Sequence, residues 1–339
     1  MKVMYEIGVG VVGLGRIGKI HAEIFAYKVE NARLVAVMDI VENLAKNVAE
    51  KFKAKWYNDY QKLLSDPEID AVAIVTPTFL HKEMIVQAAE AGKHIFVEKP
   101  LTVTVDEAQT ALQAVRKAGV KMQVGYMRRF DYAYKNAKKK IEKGEIGKPL
   151  VFVGIARDPG APPGWAAEPS KSGGIFLDML SHDFDMARWL MSAEVKEVYV
   201  QGGAYLYDEI KRKGDLDVVT INFRFDNGAI GLIHGSRKSV FGYDLRTEVM
   251  GTEGTLYIGT LQDHMFAHGR GDGLVYGGVQ WFWKRFYDAY VEEDQSFINA
   301  VKKDEEPLVA GIDGLRAVEI AEACWKSYRE KKPVEIPLG

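Results

Sequence analysis

The sequence has little cysteine and no long apolar run. Cys324 is the one cysteine among 339 residues, so an internal disulfide is impossible and an oxidising compartment is not indicated. No stretch approaches the roughly 20 apolar residues of a membrane-spanning helix. The first residues, MKVMYE, lack the apolar segment and cleavage site of a signal peptide. We therefore expect a cytoplasmic protein that does not bind a membrane.

An excess of charge of either sign is also missing. The chain carries 45 Lys and Arg against 47 Asp and Glu, and this balance does not favour a general attraction to nucleic acid or to a membrane surface. Hydrophobic residues make up 47% and charged residues 27% of the chain, which is the profile of folded domains. The length is sufficient for two domains of ordinary size.

Short apolar strands alternate with helices in the first third of the chain. The predicted strands are 7–12, 33–39, 71–77, 94–100 and 121–126, and the predicted helices are 18–29, 41–52, 80–91 and 106–118. Continuously apolar strands between helices are typical of a parallel sheet that is covered on both faces. This pattern predicts an α/β domain over residues 1–126.

The pattern changes after residue 126. A helix is predicted at 131–143, a strand at 150–157, longer alternating strands within 195–259, and two closing helices at 285–303 and 312–331. The Asn227-Gly228 pair between two alternating runs indicates a β-hairpin. We therefore predict an α+β domain with a mainly antiparallel sheet over residues 127–339.

The hexapeptide GLGRIG lies between the first predicted strand and the first predicted helix. Gly13, Gly15 and Gly18 match the turn that brings backbone and a helix N-terminus close to a pyrophosphate. A structural glycine turn without a cofactor is the alternative. The position of the motif at the start of a βαβ unit favours a dinucleotide-binding Rossmann domain.

Asp39, at the end of the second predicted strand, selects among dinucleotides. A carboxylate at this point accepts hydrogen bonds from a ribose hydroxyl and repels a 2′-phosphate. Ile40 and Val41 follow and offer no compensating cation. The sequence therefore predicts NAD rather than NADP as the cofactor.

Two further groups of polar residues suggest chemistry. In GGIFLDMLSHDFDMARWL (173–190) the spacing of Asp178, His182 and Asp185 places them on one face of a predicted helix. A solvated polar stripe is the alternative interpretation. Lys99 ends the strand HIFVEKP, at the edge of a parallel sheet where ligands bind, although a surface lysine is equally compatible with that position.

Four motifs give the chain a more specific resemblance. They are GLGRIGKIHA (13–22), VTPTFLH (75–81), EKP (98–100) and GGIFLDMLSHDFDMARW (173–189). Through them the chain resembles the Gfo/Idh/MocA family over nearly its full length. Within that family it is most similar to the inositol 2-dehydrogenase branch, through GYMRRFD (125–131), FGYDLRTEVMGTEG (241–254) and RFYDAY (285–290).

This resemblance implies a Rossmann domain followed by an α+β domain with an open sheet, and a catalytic group of Lys99, Asp178 and His182. His182 would remove the hydroxyl proton and Lys99 would stabilise the developing alkoxide. Asp178 would orient His182 or form a hydrogen bond with the same substrate hydroxyl. The implied reaction is NAD-dependent oxidation of a cyclic polyol hydroxyl to a ketone, with myo-inositol as the leading substrate. An aldopyranose or another inositol isomer is the nearest alternative, and a non-catalytic NAD-sensing regulator is the second.

The resemblance also implies a wider set of binding residues. For the cofactor they are Gly13, Leu14, Gly15, Arg16, Ile17, Gly18, Asp39, Thr76, Pro77, His81, Glu98 and Lys99. For the substrate they are Lys99, Arg128, Asp178, His182, Asp185, Tyr243 and Tyr290, although the two tyrosines are equally compatible with core packing.

A metal site is not expected. His264 and His268 have a spacing that suits a metal on a helix, but the flanking glycines favour a loop and no acidic ligand pattern accompanies them. A homo-oligomer, specifically a tetramer, is expected, because the predicted second sheet has no helices left to cover one face.

Overall fold

The structure is a computed structural model that describes residues 6–162, 164–259, 262–271, 273–279 and 281–337. Its strands are β1 (Ile7–Val12), β2 (Ala32–Met38), β3 (Lys55–Tyr57), β4 (Ala71–Ile74), β5 (His94–Glu98), β6 (Met122–Gly125), β7 (Pro149–Arg157), β8 (Val195–Gly203), β9 (Val218–Phe225), β10 (Ile230–Ser236), β11 (Asp244–Gly251), β12 (Thr255–Ile258), β13 (Gln262–Arg270), β14 (Gly273–Gly278) and β15 (Val334–Glu335). Its helices are α1 (Arg16–Tyr27), α2 (Glu42–Phe52), α3 (Tyr60–Leu64), α4 (His81–Glu90), α5 (Val105–Ala118), α6 (Tyr132–Glu142), α7 (Pro169–Ser172), α8 (Ser181–Met191), α9 (Asp208–Arg212), α10 (Phe282–Lys303) and α11 (Gly311–Glu330). A π-helical turn occupies Ile175–Met179.

The described residues form two compact units. The first contains the chain up to Met127 together with Asp288–Val318, and the second contains Arg128–Tyr287 together with the chain from Glu319 onward. The sequence placed all of 127–339 in the second domain, whereas 288–318 belongs to the first unit. In that segment the Phe297 ring packs against Phe96 of β5, with ring centroids 6.0 Å apart. An amphipathic helix does not reveal from its sequence which sheet it will cover.

The first unit is built on a six-stranded sheet in the order β3-β2-β1-β4-β5-β6. Every neighbouring pair is parallel. All residues of β1 and β4 are buried, as expected for strands with helices on both faces. The strand order reverses between β1 and β4, and ligands bind beyond the carboxyl ends of strands at such a point. The predicted Rossmann architecture is confirmed.

The second unit contains a seven-stranded sheet in the order β12-β11-β7-β10-β9-β8-β15. Its neighbours are antiparallel except β7 and β10, which are parallel. The predicted Asn227-Gly228 turn closes the β9–β10 hairpin, with Gly228 at a φ of +87°. The expectation of a mainly antiparallel sheet is confirmed.

The two faces of this second sheet differ. On the inner face α8 packs against β7, where Phe152 and Ala156 are buried. On the outer face Val151 of β7 lies between Ile230 of β10 and Met250 of β11, and the last two are exposed. The outer face therefore presents apolar side chains to its surroundings.

The sequence missed the short elements β3, α3, α9 and β15. It also predicted a loop around His264 and His268, but both residues lie on β13, which pairs with β14 in an antiparallel ribbon. That prediction was wrong because glycine occurs within strands as well as in loops, so the neighbouring glycines do not distinguish the two. Within the described residues, no helix has the length and apolarity to cross a membrane.

Candidate active site

The glycine loop joins β1 to α1 and has the geometry of a nucleotide-binding turn. Gly13 has a φ of +91°, and a Cβ there would lie 2.6 Å from the Val75 carbonyl oxygen. A Cβ on Gly18 would lie 1.8 Å from the Gly13 oxygen, whereas one on Gly15 would meet no protein atom within 4 Å. Gly15 is the N-cap of α1, and no side chain caps the helix. The backbone at this helix N-terminus is therefore not covered by a side chain at Gly15 and is open to an anion.

Asp39 is tied to this loop. Its Oδ2 accepts a hydrogen bond from the Leu14 N–H at 2.8 Å, and its Oδ1 accepts one from the Val41 N–H at 2.9 Å. The carboxylate thus links the end of β2 to the turn after β1. Each oxygen retains a second lone pair, so the residue suits a ribose hydroxyl as well. These contacts fit the predicted binding of a dinucleotide by this loop.

Beyond the end of β4, His81 links two strand ends. Its Nε2 lies 2.9 Å from the Thr76 carbonyl oxygen and its Nδ1 lies 2.8 Å from the Pro100 carbonyl oxygen. Burial, the largest influence, lowers the pKa of this imidazole. The ring therefore connects the Thr76-Pro77 turn with the chain that follows Lys99, and its predicted cofactor contact stays a prediction.

A buried group of charges that the sequence did not reveal supports the end of β5. The His21 Nε2 lies 3.1 Å from the Glu98 Oε1, and its Nδ1 lies 2.9 Å from the Asp294 Oδ2. Burial by itself lowers the pKa of His21, but the two carboxylates raise it and prevail. The second Glu98 oxygen accepts the Lys99 N–H at 2.9 Å. Lys99 is thus held through its backbone at the carboxyl edge of the sheet.

Tyr290 takes part in this same group. It is buried, and its ring meets His21 edge-on at 5.6 Å between centroids. The alternative of core packing, which the sequence left open, agrees with this contact. Its predicted contact with substrate stays a prediction.

In the second unit, Asp178 and His182 do not lie on one regular α-helix. Asp178 is the fourth residue of the π-helical turn, and His182 is the second residue of α8. The prediction of a single continuous helix face was wrong, because the wider π turn precedes α8. The Asp178 side chain is 22% exposed and accepts a hydrogen bond from Arg237 at 3.1 Å. His182 is 7% exposed. π-helical turns are uncommon and are often found at functional sites.

Two arginines just after β6 form buried ion pairs with α8. Arg128 pairs with Asp183 at 3.0 Å, and the Arg129 Nε donates to the Asp185 Oδ2 at 3.0 Å. Tyr243 is also buried, and burial raises its pKa. The charge of Asp185 is balanced by Arg129. Its predicted substrate contact, like those of Arg128 and Tyr243, stays a prediction.

No group of three or more His, Cys, Asp or Glu side chains suited to a metal ion occurs within the described ranges. The side chain of His264 lies outside the described part of the structure, so the expectation that the protein needs no metal stays a prediction. The described sites offer instead a nucleotide-binding turn, a lysine at a strand end, and a carboxylate with a histidine beside a π turn.

Comparison with known proteins agrees with both units. Residues 7–126 match the family described as "Oxidoreductase family, NAD-binding Rossmann fold", and residues 134–257 match the "GFO/IDH/MocA C-terminal domain". Two curated relatives are similar over nearly their whole length. They are a scyllo-inositol 2-dehydrogenase (NAD(+)) of Bacillus subtilis, 42% identical over 98% of this chain and 97% of the relative, and a myo-inositol 2-dehydrogenase of Thermotoga maritima, 40% identical over 97% and 98%.

A solved structure is similar as well. It is the scyllo-inositol dehydrogenase of Lactobacillus casei with bound NAD(H) and scyllo-inositol, with a TM-score of 0.91 and 30% identity over 97% of this chain and 99% of that one. The fold, the nucleotide-binding turn and the family matches all indicate the same family. The chain belongs to the GFO/IDH/MocA oxidoreductase family and is an NAD-dependent dehydrogenase.

Proposed function

We propose that this protein is an inositol 2-dehydrogenase that oxidises one ring hydroxyl of a cyclic polyol, with myo-inositol as the leading substrate. The observation that carries the proposal is the similarity to two relatives of that activity over at least 97% of each relative's length. One of these relatives is named for scyllo-inositol and the other for myo-inositol, so the similarity does not identify which inositol isomer this protein oxidises. The presence of Lys99, Asp178 and His182 supports a catalytic role over that of an NAD sensor.

NAD, when bound, supplies the hydride acceptor, so that the ring carbon loses a hydride, the hydroxyl loses a proton and a carbonyl forms. We assign its pyrophosphate to the turn of Gly13, Gly15 and Gly18. The crowding around Gly18 and the open space at Gly15 support this assignment. Asp39, which already orients the Leu14 N–H, would accept a ribose hydroxyl.

His182 is assigned as the base that takes the hydroxyl proton. An imidazole suits this role because its usual titration range is close to neutral pH. Asp178 is assigned to orient that histidine or to accept a hydrogen bond from the same hydroxyl. Its partial exposure beside the π turn supports this role.

Lys99 is assigned to stabilise the negative charge that develops on the substrate oxygen as the proton leaves. Its position directly after β5, with its N–H held by Glu98, supports this assignment. Positioned charge of this kind acts without reorganisation during the reaction. The three residues Lys99, Asp178 and His182 thus have separate parts in one step.

The substrate is tested with a panel of myo-inositol, scyllo-inositol, other inositol isomers and aldopyranoses, each with NAD and with NADP. Absorbance of the reduced cofactor reports the rate. We expect the highest kcat/KM with an inositol and NAD. An aldopyranose that exceeds every inositol establishes the first alternative. Equal kcat/KM with NADP contradicts the role of Asp39.

Assembly as a homotetramer in the cytoplasm is part of the proposal. The apolar outer face of the second sheet, with Ile230 and Met250 exposed, supports contact with a second copy of the chain. The single cysteine, Cys324, is buried, which is compatible with a reducing compartment.

A further inference from the structure

Arg237 is a fully buried arginine whose guanidinium contacts more than Asp178. It directly follows β10, and its backbone N–H donates to the Asp217 carbonyl oxygen at 2.8 Å. Its Nη1 donates to the Asp178 Oδ2 and its Nη2 donates to the Asp215 Oδ2, each at 3.1 Å. One guanidinium therefore joins two carboxylates from different segments of the second unit.

Asp215 extends this connection to the beginning of the π turn. It is buried, and its Oδ1 accepts the backbone N–H of Ile175 at 2.9 Å. Ile175 is the first residue of the turn and Asp178 is the fourth. Arg237 thus holds Asp178 directly and holds the start of the same turn through Asp215.

The residue before the π-helical turn, Gly174, is closely surrounded by other side chains. Gly174 has a φ of +66°, and a Cβ there would lie 2.5 Å from the Asp215 Oδ1 and 2.7 Å from the Trp325 Cζ2. The Trp325 Nε1 donates to the Gly173 carbonyl oxygen at 2.8 Å. The backbone before the turn is therefore closely packed by Asp215 and Trp325.

We propose that Arg237 is a positioning residue for the dehydrogenase reaction, which fixes the Asp178 carboxylate by clamping the π-helical turn that carries it. The planar guanidinium suits this task because its fork directs two N–H donors at fixed angles. Arg237 holds the Asp178 Oδ2 directly, and through Asp215 it holds the backbone at the start of the turn that carries Asp178. The inference rests on the proposed role of Asp178 in the reaction.

The test is a double-mutant cycle of Arg237→Lys and Asp178→Asn, assayed with the best substrate of the panel. Lysine keeps the charge but loses the fork. We expect Arg237→Lys to lower kcat by about 10- to 100-fold, the scale of a misplaced catalytic group. In the Asp178→Asn background, Arg237→Lys should lower kcat by less than about a further threefold. The effects of substitutions at two residues that act through one contact are not additive. The dissociation constant of NAD should change less than about twofold, since the arginine is assigned to Asp178 and not to the nucleotide turn.

Arg188→Lys is the matched control, since Arg188 is a nearly buried arginine of the same unit whose pair with Glu194 does not include Asp178. It should retain kcat within about threefold, as expected of an independent site. If Arg237→Lys does not fold by circular dichroism, Asp215→Asn replaces it in the cycle, because it removes the second anchor of the clamp.

The outcomes separate the two claims. If Arg237→Lys lowers kcat by the same factor in the wild type and in Asp178→Asn, and Asp178→Asn is itself nearly inactive, the positioning role of Arg237 is overturned. The proposed role of Asp178 then stands. Full turnover by Asp178→Asn overturns the proposed role of Asp178 and the inference with it. A strong loss in the wild-type background that disappears in the Asp178→Asn background supports both.

Discussion

His182 is the residue on which the proposed proton transfer depends. We expect His182→Ala to lower kcat by on the order of a hundredfold or more, the usual contribution of a general base. The pH dependence that a base imposes on kcat should disappear in the variant. NAD affinity should be retained, because the nucleotide is assigned to the glycine turn and Asp39. Steady-state kinetics across pH and titration with NAD measure these effects.

The control is His94→Ala, at the opposite end of β5 from Lys99, where the His94 Nδ1 accepts the Lys121 N–H. This variant should turn over at close to the wild-type rate. Near-normal turnover and an unchanged pH profile in His182→Ala would show that the base lies elsewhere.

His21 makes the stability of the protein depend on pH. Its folded pKa is raised above the unfolded value of about 6.5. The stabilisation is therefore complete below about pH 6.5 and is lost as the pH rises through the raised folded pKa, at about 1.4 kcal/mol for each pH unit that separates the folded from the unfolded pKa. The side chain introduced by His21→Gln does not titrate. The difference in Tm between wild type and variant should therefore be largest below about pH 6.5 and should shrink as the pH rises through the folded pKa of His21. A difference that does not vary with pH would contradict the assignment.

At the scale of elements, the turn between β1 and α1 gives a matched pair of substitutions. Gly18→Ala places a Cβ against backbone and should destabilise the protein by at least about 1–3 kcal/mol. Gly15→Ala has open space and a φ of −61°, so its cost should be at most about 1 kcal/mol. It should nevertheless weaken NAD binding by at least about tenfold, because the pyrophosphate needs that space.

Thermal unfolding without cofactor and fluorescence titration with NAD measure the two effects separately. If Gly15→Ala binds NAD as the wild type does, the pyrophosphate does not approach this turn. If Gly18→Ala is as stable as the wild type, the backbone moves more easily than the contact with the Gly13 oxygen indicates.

Elements with a strong local pattern were predictable from the sequence. The buried runs of β1 and β4 predicted the parallel sheet, and Asn227-Gly228 predicted the β9–β10 hairpin. The π-helical turn was not predictable, because the residues that fix it are distant. Its first N–H is bound by Asp215, 40 residues away, and no periodicity within the turn reports such a contact.

The same limit applies to the site. Lys99 was proposed from its place at a strand end, and Asp178 and His182 were proposed from their spacing and the family motif. The contacts of His21 with Asp294 and of Arg237 with Asp178 span 273 and 59 residues. Local patterns carry no signal for such pairs, although His21 lies within the motif GLGRIGKIHA. Burial and charge balance become visible only when the fold brings these residues together.

At the scale of the whole molecule, the outer face of the second sheet predicts the assembly. Val153 lies on this face, between Leu232 and Glu248 of the neighbouring strands. We expect a wild-type tetramer, and Val153→Lys should give a smaller species, because a charge opposes burial between copies while Glu248 can pair with it in the separated chain. Light scattering at micromolar concentration measures the mass, and circular dichroism checks the fold.

Tyr132→Lys is the control, since Tyr132 is 81% exposed and belongs to α6 rather than to a strand of the sheet. Its mass should equal that of the wild type. A monomeric wild type removes the proposal of assembly, and an unchanged mass of Val153→Lys moves the interface to another surface.

Residues 288–318 lie late in the sequence but belong to the first unit. This arrangement affects how the protein folds during its synthesis. A ribosome delivers the chain from its N-terminus, so β1 to β6 emerge long before α10 does. Until then the nascent chain contains His21 and Glu98 but not Asp294, and Phe96 lacks the ring of Phe297. The strands β7 to β14 are all translated in this interval. The dinucleotide-binding unit is therefore completed only after six of the seven strands of the second unit's sheet, all but β15, have been synthesised. The usual N-to-C succession of domain folding during translation does not apply to this chain.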